Sequence, residues 1–424
     1  MSTWQGPQRG PGARALASLA ALCAAVALFI ALVPLHRDWF DLRVYYDAVH
    51  FWTGRSGGLY EYRVPGQDYG FTYPPFAALC MTPMNLLSWP LTVAVATTAN
   101  LAAAVLVLRL LAGPVIRRHG WPPLPAYVVA GCLFALLEPV YDTVSFGQVN
   151  LFLLLLVLCD ARQLARGGRF AGVGIGLAAA VKLTPALFIG YLLITRHRRA
   201  AATAGVVAAA ATLLAHLLAP ATSRDFWSAA LWDTSRLGEL AYVSNQSWQG
   251  ALARLAHPAG PSALWWACGV LAVAGLWAYR LHRAGPADVR LGIAATGVAA
   301  CLISPVTWVH HLVWALPALA LLADRALELP LRRARLAWTA AAYALLCSSV
   351  VWLWRYDSGG IDGFLGGNAF VWVQLGLLCA LVARPPSDHL AAHQHGQHQG
   401  TGQQRPPDRE QAEAHDRGGR LDDR

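Results

Sequence analysis

Charge is what this chain has least of. Asp, Glu, Lys and Arg make up 13% of its 424 residues, where soluble domains carry about a quarter. With 56% hydrophobic residues and a mean hydropathy of +0.41, that scarcity excludes a soluble globular enzyme. Lysine is almost absent: of the 33 basic residues only Lys182 is one. The formal net charge of +10 is therefore carried by arginines, and it reads as a membrane-topology signal and not as a nucleic-acid footprint. The sequence also lacks a glycine-rich phosphate loop, a Ser–His–Asp spacing, a CxxC pair and any repeat of fixed period. The eight cysteines all fall inside apolar segments, which excludes a disulfide framework and makes them small hydrophobes.

What is present is a series of long apolar runs, each able to cross a hydrocarbon core of roughly 30 Å. The first, residues 15–35, follows a short basic start (Arg9, Arg14). It is longer than the apolar core of a cleavable signal and is expected to be retained. The loops fall into two sets. Arg109–Gly120, 161–169, 195–199, 280–290 and 324–335 are short and basic, and the positive-inside rule puts them in the cytoplasm with both termini. The loops at 36–73, 138–148, 220–260, 304–311 and 355–367 are longer, more aromatic and more acidic, and belong on the opposite side.

Alternation between the two sets fails at residues 170–195, whose ends both look cytoplasmic. Two half-spans with KLTP (182–185) at the apex would restore it. Pro185 favours the break, because a proline disfavours helical geometry at the residue before it, and irregular backbone at membrane depth needs a polar cavity to line. Residues 73–89, short and proline-rich, read as a thin span or, as parity favours, a re-entrant interfacial helix. The expected fold is all-α and polytopic, with about twelve membrane segments and an extracytoplasmic first loop carrying interfacial helices. It occupies residues 1–384. Residues 385–424, rich in Gln, Gly, His and Asp, are expected to form a disordered cytoplasmic tail.

Ionisable residues beside membrane spans are functional candidates, and here they gather on the non-cytoplasmic side. DLRVYYDAVHFW (41–52) has the apolar spacing of an interfacial helix. Asp47 follows Arg43 by four residues, the spacing of a helix-surface ion pair. Asp41 sits where an N-cap would, and also where a reacting group could meet a lipid headgroup. The long loop GLYEYRVPGQDYGFTYPP adds Tyr60, Arg63, Asp68 and Tyr73 as an aromatic belt or a binding wall. Glu138 and Asp142 end one span, and Gln148 and Asn150 open the next. Lys182, alone in an apolar stretch, needs a carboxylate or an anionic ligand such as phosphate. His310 and His311 diverge by about 100° on a helix, so they are not twin metal ligands, and one is expected at the site and the other in the framework. Asn245, Gln246, Ser247, Trp248 and Arg254 form a polar and aromatic set suited to sugar hydroxyls. No acidic pair marks a metal, and no cofactor is expected.

In order along residues 38–316, DLRVYYDA, GLYEY, FTYPP, GQVNLFLLLLVL, GLAAAVKLTP, NQSWQGALAR and SPVTWVHHLVW resemble the actinobacterial polyprenol-phosphate-mannose-dependent α-(1→2)-mannosyltransferases. These are integral-membrane enzymes of the GT-C class, in the family that includes phosphatidylinositol mannoside mannosyltransferases. The resemblance implies a multi-pass protein of the bacterial plasma membrane whose site faces the extracytoplasmic side. It also implies transfer of mannose, with inversion, from a polyprenyl-phosphate donor to a lipid-linked or lipoglycan mannose. The family's loop aspartate maps to Asp41 and its histidine region to His310 and His311. Chemistry then asks for a base, Asp41 or a neutral histidine, and for cations on the phosphate, Lys182 or Arg63. A relative using polyprenyl-phosphate arabinofuranose or glucose, or a lipid-linked sugar flippase or transporter, stands as the alternative.

Overall fold

A computed structural model describes residues 12–32, 36–328, 332–356 and 359–382. The tail expected over 385–424 lies outside these residues. The described residues form helices and turns, with one isolated antiparallel bridge between Arg63 and Gly70. In chain order the α-helices are α1 (Ala13–Leu32), α2 (Phe40–Thr53), α3 (Pro75–Met81), α4 (Trp89–Arg118), α5 (Pro123–Leu136), α6 (Glu138–Ser145), α7 (Asn150–Ala165), α8 (Val173–Val181) and α9 (Leu187–Ile194). There follow α10 (Arg198–Leu218), α11 (Pro220–Asp225), α12 (Trp248–Ala256), α13 (Ala263–Ala284), α14 (Val289–Ile303), α15 (Leu316–Glu328), α16 (Arg332–Cys347), α17 (Gly360–Gly366) and α18 (Ala369–Val382).

Four of these, α1, α4, α10 and α13, are long and apolar enough to cross a membrane, and the bent pairs α5–α6 (71°) and α17–α18 (52°) raise the number to six. About twelve segments were expected; among the described residues, length and composition give six at most. The stretch 73–89 is a seven-residue helix followed by a 3₁₀ turn at Thr82–Leu86, too short to span at 1.5 Å per residue. The break in 170–195 is present but displaced from the expected Thr184. α8 ends at Val181, Lys182 is extended (φ −147°, ψ 135°), and Thr184 and Pro185 already belong to a 3₁₀ turn leading into α9. Proline is tolerated in the first turn of a helix because its missing N–H is unneeded there.

α14 is the centre of the packing. Thirteen of its fifteen residues are buried, and it touches α7, α9, α13, α15 and α18. Small side chains make this possible: a Cβ at Gly297 would lie 2.4 Å from the Trp314 carbonyl oxygen. A second, smaller core of Tyr45, Tyr60, Phe71, Tyr73 and Phe226 fastens the first loop onto α2 and α3. The chain leaving α14 carries TWVHH into a 3₁₀ helix, Val309–Ala315, that packs against α6 and α7. α2, the first loop, the start of α7 and this turn are thereby brought to one place.

Candidate active site

The cavity at that place has a volume of about 810 Å³, within the range of about 300–1,000 Å³ usual for ligand sites. Asp41, Asp68 and Tyr69 line it from the α2 and first-loop side, and Phe146 and His310 from behind. Tyr242, Ser244, Trp308 and Trp352 add aromatic and hydroxyl surface, and Arg37 and Arg355 supply its cations.

Asp41 is not the N-cap that its position suggested. The helix cap lies two residues earlier, at Trp39 in a left-handed conformation, and Asp41 turns inward. It is 2% exposed. Oδ1 accepts from Tyr69 Oη at 3.2 Å and Oδ2 from Gln148 Nε2 at 2.8 Å. Both donors are neutral. Burial pushes the carboxyl up from 3.8 to about 6, against the opposing pull of the hydrogen bonds from Gln148 and Tyr69. The backbone before it is strained, since Asp38 (φ 50°) and Trp39 (φ 52°) are consecutive left-handed residues that are not glycine. Hydrogen bonds from Trp39 N to Ser145 O and from Trp39 Nε1 to Thr97 Oγ1 hold this turn. It brings Arg37 and Asp41 to one cavity. Asp47 pairs with Arg43 at 2.8 Å, as its spacing predicted.

The GQVN turn works for Asp41 from the other side. Gly147 has φ +69°, and a Cβ there would strike Leu42 of α2 at 2.5 Å. Only a glycine lets the two elements close up and brings Gln148 against the aspartate. Gln148 Oε1 accepts from Tyr73 Oη (2.9 Å) and from Val149 N (3.2 Å), which fixes the amide's orientation. Tyr73 Oη accepts from Tyr45 Oη at 3.1 Å and is 3.3 Å from Lys182 Nζ. Asn150 accepts from Lys182 Nζ at 3.1 Å and donates to the His310 carbonyl.

The two histidines face different neighbours. The His310 ring lies along the cavity wall, and its Nε2 has no partner among the described residues. The His311 ring, edge-on to it at 4.6 Å, faces Lys182 Nζ at 2.8 Å. Lys182 and His311 stand behind the cavity and not among its lining residues. Arg63 does not line it either; its Nη1 donates to the Tyr60 and Tyr62 carbonyls and braces the loop.

The NQSW set is placed differently from its sugar-binding expectation. Asn245 bonds the carbonyls of Leu240 and Pro305 and accepts from Thr307 N. Gln246 bonds Val243 and Gly367 carbonyls and accepts from Phe370 N. Ser247 caps α12, and Trp248 donates to the Trp265 carbonyl. Amide side chains bonded to buried backbone cannot also grip a ligand, so this set is a clamp beneath the site. Arg254, bonded to Asn368 and the Tyr242 carbonyl, belongs to it. Asp142 accepts from Arg37 Nε at 3.2 Å, and Glu138 from Trp352 Nε1.

Arg37 was missed by sequence reading. Its guanidinium lies over the Trp352 ring at 4.5 Å and over Phe146 at 5.6 Å, while Nη2 has no partner among the described residues. Tyr69 and Trp308 sit within stretches already singled out, whereas Tyr242, Trp352 and Arg355 come from other loops. The one group of His and acidic side chains close enough to suggest a metal among the described residues is His119, Asp324 and Glu328. Arg118 and Arg290 already occupy its carboxylates at 2.7–2.8 Å.

Comparison with known proteins gives a consistent outcome. The family model for glycosyltransferase family 87 matches residues 71–305. A Mycobacterium tuberculosis protein described as a polyprenol-phosphate-mannose-dependent alpha-(1-2)-phosphatidylinositol mannoside mannosyltransferase is 35% identical over 343 residues, covering 75% of this chain and 79% of its own. Its Mycolicibacterium smegmatis counterpart is 31% identical over 367 residues, 79% of each chain. A second M. smegmatis relative, described as acting on the pentamannoside, is 35% identical over 337 residues, 76% of this chain and 78% of its own. No solved structure matches.

Proposed function

The chain belongs to glycosyltransferase family 87, and from that premise we propose that it moves mannose from polyprenyl-phosphate mannose to a phosphatidylinositol mannoside or similar lipid-linked mannose. It is a membrane protein and a mannosyltransferase. The linkage formed is α-(1→2), and the site opens on the extracytoplasmic side, at the top of a body of about twelve membrane segments.

The observation that carries the chemistry is a buried, cavity-lining carboxylate bonded only to neutral donors. Asp41 is the general base. The acceptor's 2-hydroxyl oxygen attacks the donor's anomeric carbon, the bond from that carbon to the phosphate oxygen breaks, and its electron pair leaves with the phosphate. The hydroxyl proton passes to Asp41. A base with a value near 6 is ionised at neutral pH yet still basic enough to take a proton in the transition state. Phosphate is a competent leaving group, so the remaining requirement is positive charge beside it. Arg37 and Arg355 are the cations lining the cavity, and His310 lines it with Nε2 unpartnered among the described residues. Tyr242, Trp308 and Trp352 offer aromatic faces to sugar rings. The aromatic first loop, folded over α2, holds a large polar headgroup at the interface, a demand that a small-solute transporter does not make.

The test is purified protein in nanodiscs, given radiolabelled polyprenyl-phosphate mannose and phosphatidylinositol mannosides, with linkage analysis of the product. Labelled α-(1→2)-linked product is expected. Equal transfer from polyprenyl-phosphate glucose or arabinofuranose would remove the donor assignment, and movement of donor across the bilayer without any product would remove the transferase reading.

A further inference from the structure

Lys182 has a hydrogen-bond environment that fixes where hydrogens can be. His311 Nδ1 accepts the backbone N–H of Trp308 at 3.1 Å. A neutral imidazole that accepts at one ring nitrogen carries its hydrogen on the other. Nε2–H therefore points at Lys182 Nζ, 2.8 Å away. An ammonium has three hydrogens and no lone pair, and cannot accept.

The other two contacts of Nζ close the count. Asn150 Oδ1 is an acceptor, its orientation set by Asn150 Nδ2 donating to the His310 carbonyl. Tyr73 Oη spends its own hydrogen on Gln148 Oε1 and takes hydrogens from elsewhere. Two hydrogens donated and one accepted describe a neutral amine. With an ammonium, Nε2 would accept and Nδ1–H would have to turn from the Trp308 N–H, which it meets at 3.1 Å, toward the backbone of Val306.

The titratable groups around Lys182 are Asp41 and Tyr45 from α2, Tyr73 from the first loop, Cys301 from α14, and His310 and His311. None is an anion in direct contact with the amine. Asp41 is reached through Tyr73 and Gln148.

Building on the transferase reading above, we propose that Lys182 rests as a neutral amine and acts as a positioning residue. It anchors Tyr73 and Gln148, and so the Asp41 carboxylate, and touches neither donor nor acceptor. Its neutrality has a purpose: a permanent cation there would draw down the basicity of the aspartate that must take the proton.

The experiment measures kcat, donor KM and the pH profile of kcat/KM for wild type, Lys182→Met and Lys182→Arg in nanodiscs. Lys182→Met keeps the length and the lack of charge. Its donor KM is expected within about twofold of wild type and its acid limb in place, with kcat down about tenfold from the lost anchor. Lys182→Arg introduces a fixed charge, and its acid limb is expected to move down by about one pH unit. A tenfold-order rise in donor KM for Lys182→Met, with Lys182→Arg close to wild type, would overturn the proposal and make the residue a phosphate ligand. So would an upward move of the acid limb in Lys182→Met, since that is the mark of a lost cation. Should Lys182→Met fail to fold, Tyr73→Phe cuts the same chain and must reproduce the loss of kcat at unchanged donor KM. If the wild type prefers another polyprenyl-phosphate sugar, the same variants are read with that donor, so the two readings fail separately.

Discussion

Two buried aspartates at opposite ends of α14 have opposite surroundings. Asp324, fully buried, receives Arg118 and Arg290 on Oδ2 at 2.8 and 2.7 Å and His119 on Oδ1 at 3.2 Å. It ties the end of α4, the start of α14 and α15 together. Asp41, equally buried, receives a tyrosine hydroxyl and an amide. An arginine pair spends a carboxylate's lone pairs on charge-assisted hydrogen bonds. Neutral donors orient a carboxylate and leave it able to accept a proton. On the proposed reading the contrast separates a staple from a base, and burial alone would not do so.

The largest effect that sharpens this contrast is Asp41→Asn. Loss of the base is expected to cut transfer about a thousandfold. The stability should move the other way. The carboxyl's rise from 3.8 to about 6 means that ionised Asp41 costs the fold about 3 kcal/mol above pH 6, a cost relieved as pH falls toward 3.8. At pH 7 the asparagine variant should melt at or above the wild-type Tm, measured by thermal shift in detergent. A clear drop in Tm would make Asp41 structural. Asp324→Asn should invert the pattern. We expect a loss of about 2–3 kcal/mol, below the value for a fully buried pair because Arg118 and Arg290 are 45% and 37% exposed and can take up water. The activity of its folded fraction should stay within a few-fold of wild type. Abolished turnover at intact Tm would erase the distinction.

The next effect is in pH. Activity requires ionised Asp41, so kcat/KM should fall as pH drops through about 6. Gln148→Leu removes a hydrogen bond that favours the ionised form, and its acid limb should move to higher pH by about one unit. Tyr69→Phe removes the longer of the two bonds and should move it the same way by less. A limb that stays put in both variants would mean that another group controls the profile.

Local pattern made part of this site legible. The spacing of DLRVYYDAVHFW foretold the helix and the Arg43–Asp47 pair, whereas His310 and His311 stay ring to ring at 4.6 Å, one lining the cavity and the other facing Lys182. Asp41 was singled out from its place after the first span, but its inward turn was not legible, because the helix cap falls two residues earlier, on left-handed residues that no propensity anticipates. Arg37, Tyr242, Trp352 and Arg355 reach the cavity from separate loops, and only tertiary packing unites them. Asn245 and Gln246 misled for a related reason. An amide suited to a sugar hydroxyl is equally suited to a buried carbonyl, and the choice depends on neighbours from residues 305–370. The KLTP break was visible as composition, but its position at Lys182 follows from the partners that the amine finds there.

α14 bears on how the protein is made. Fifteen residues span about 22 Å, less than a hydrocarbon core of about 30 Å, and its two glycines and four alanines offer little grip on lipid. Its partners α7 and α9 emerge from the ribosome before it, and α15 and α18 after it. The helix at the centre of the molecule is thus the one that cannot settle until synthesis is nearly complete. A chain ending before α18 would carry Asp41, Lys182 and both histidines and still lack the wall that seats α14.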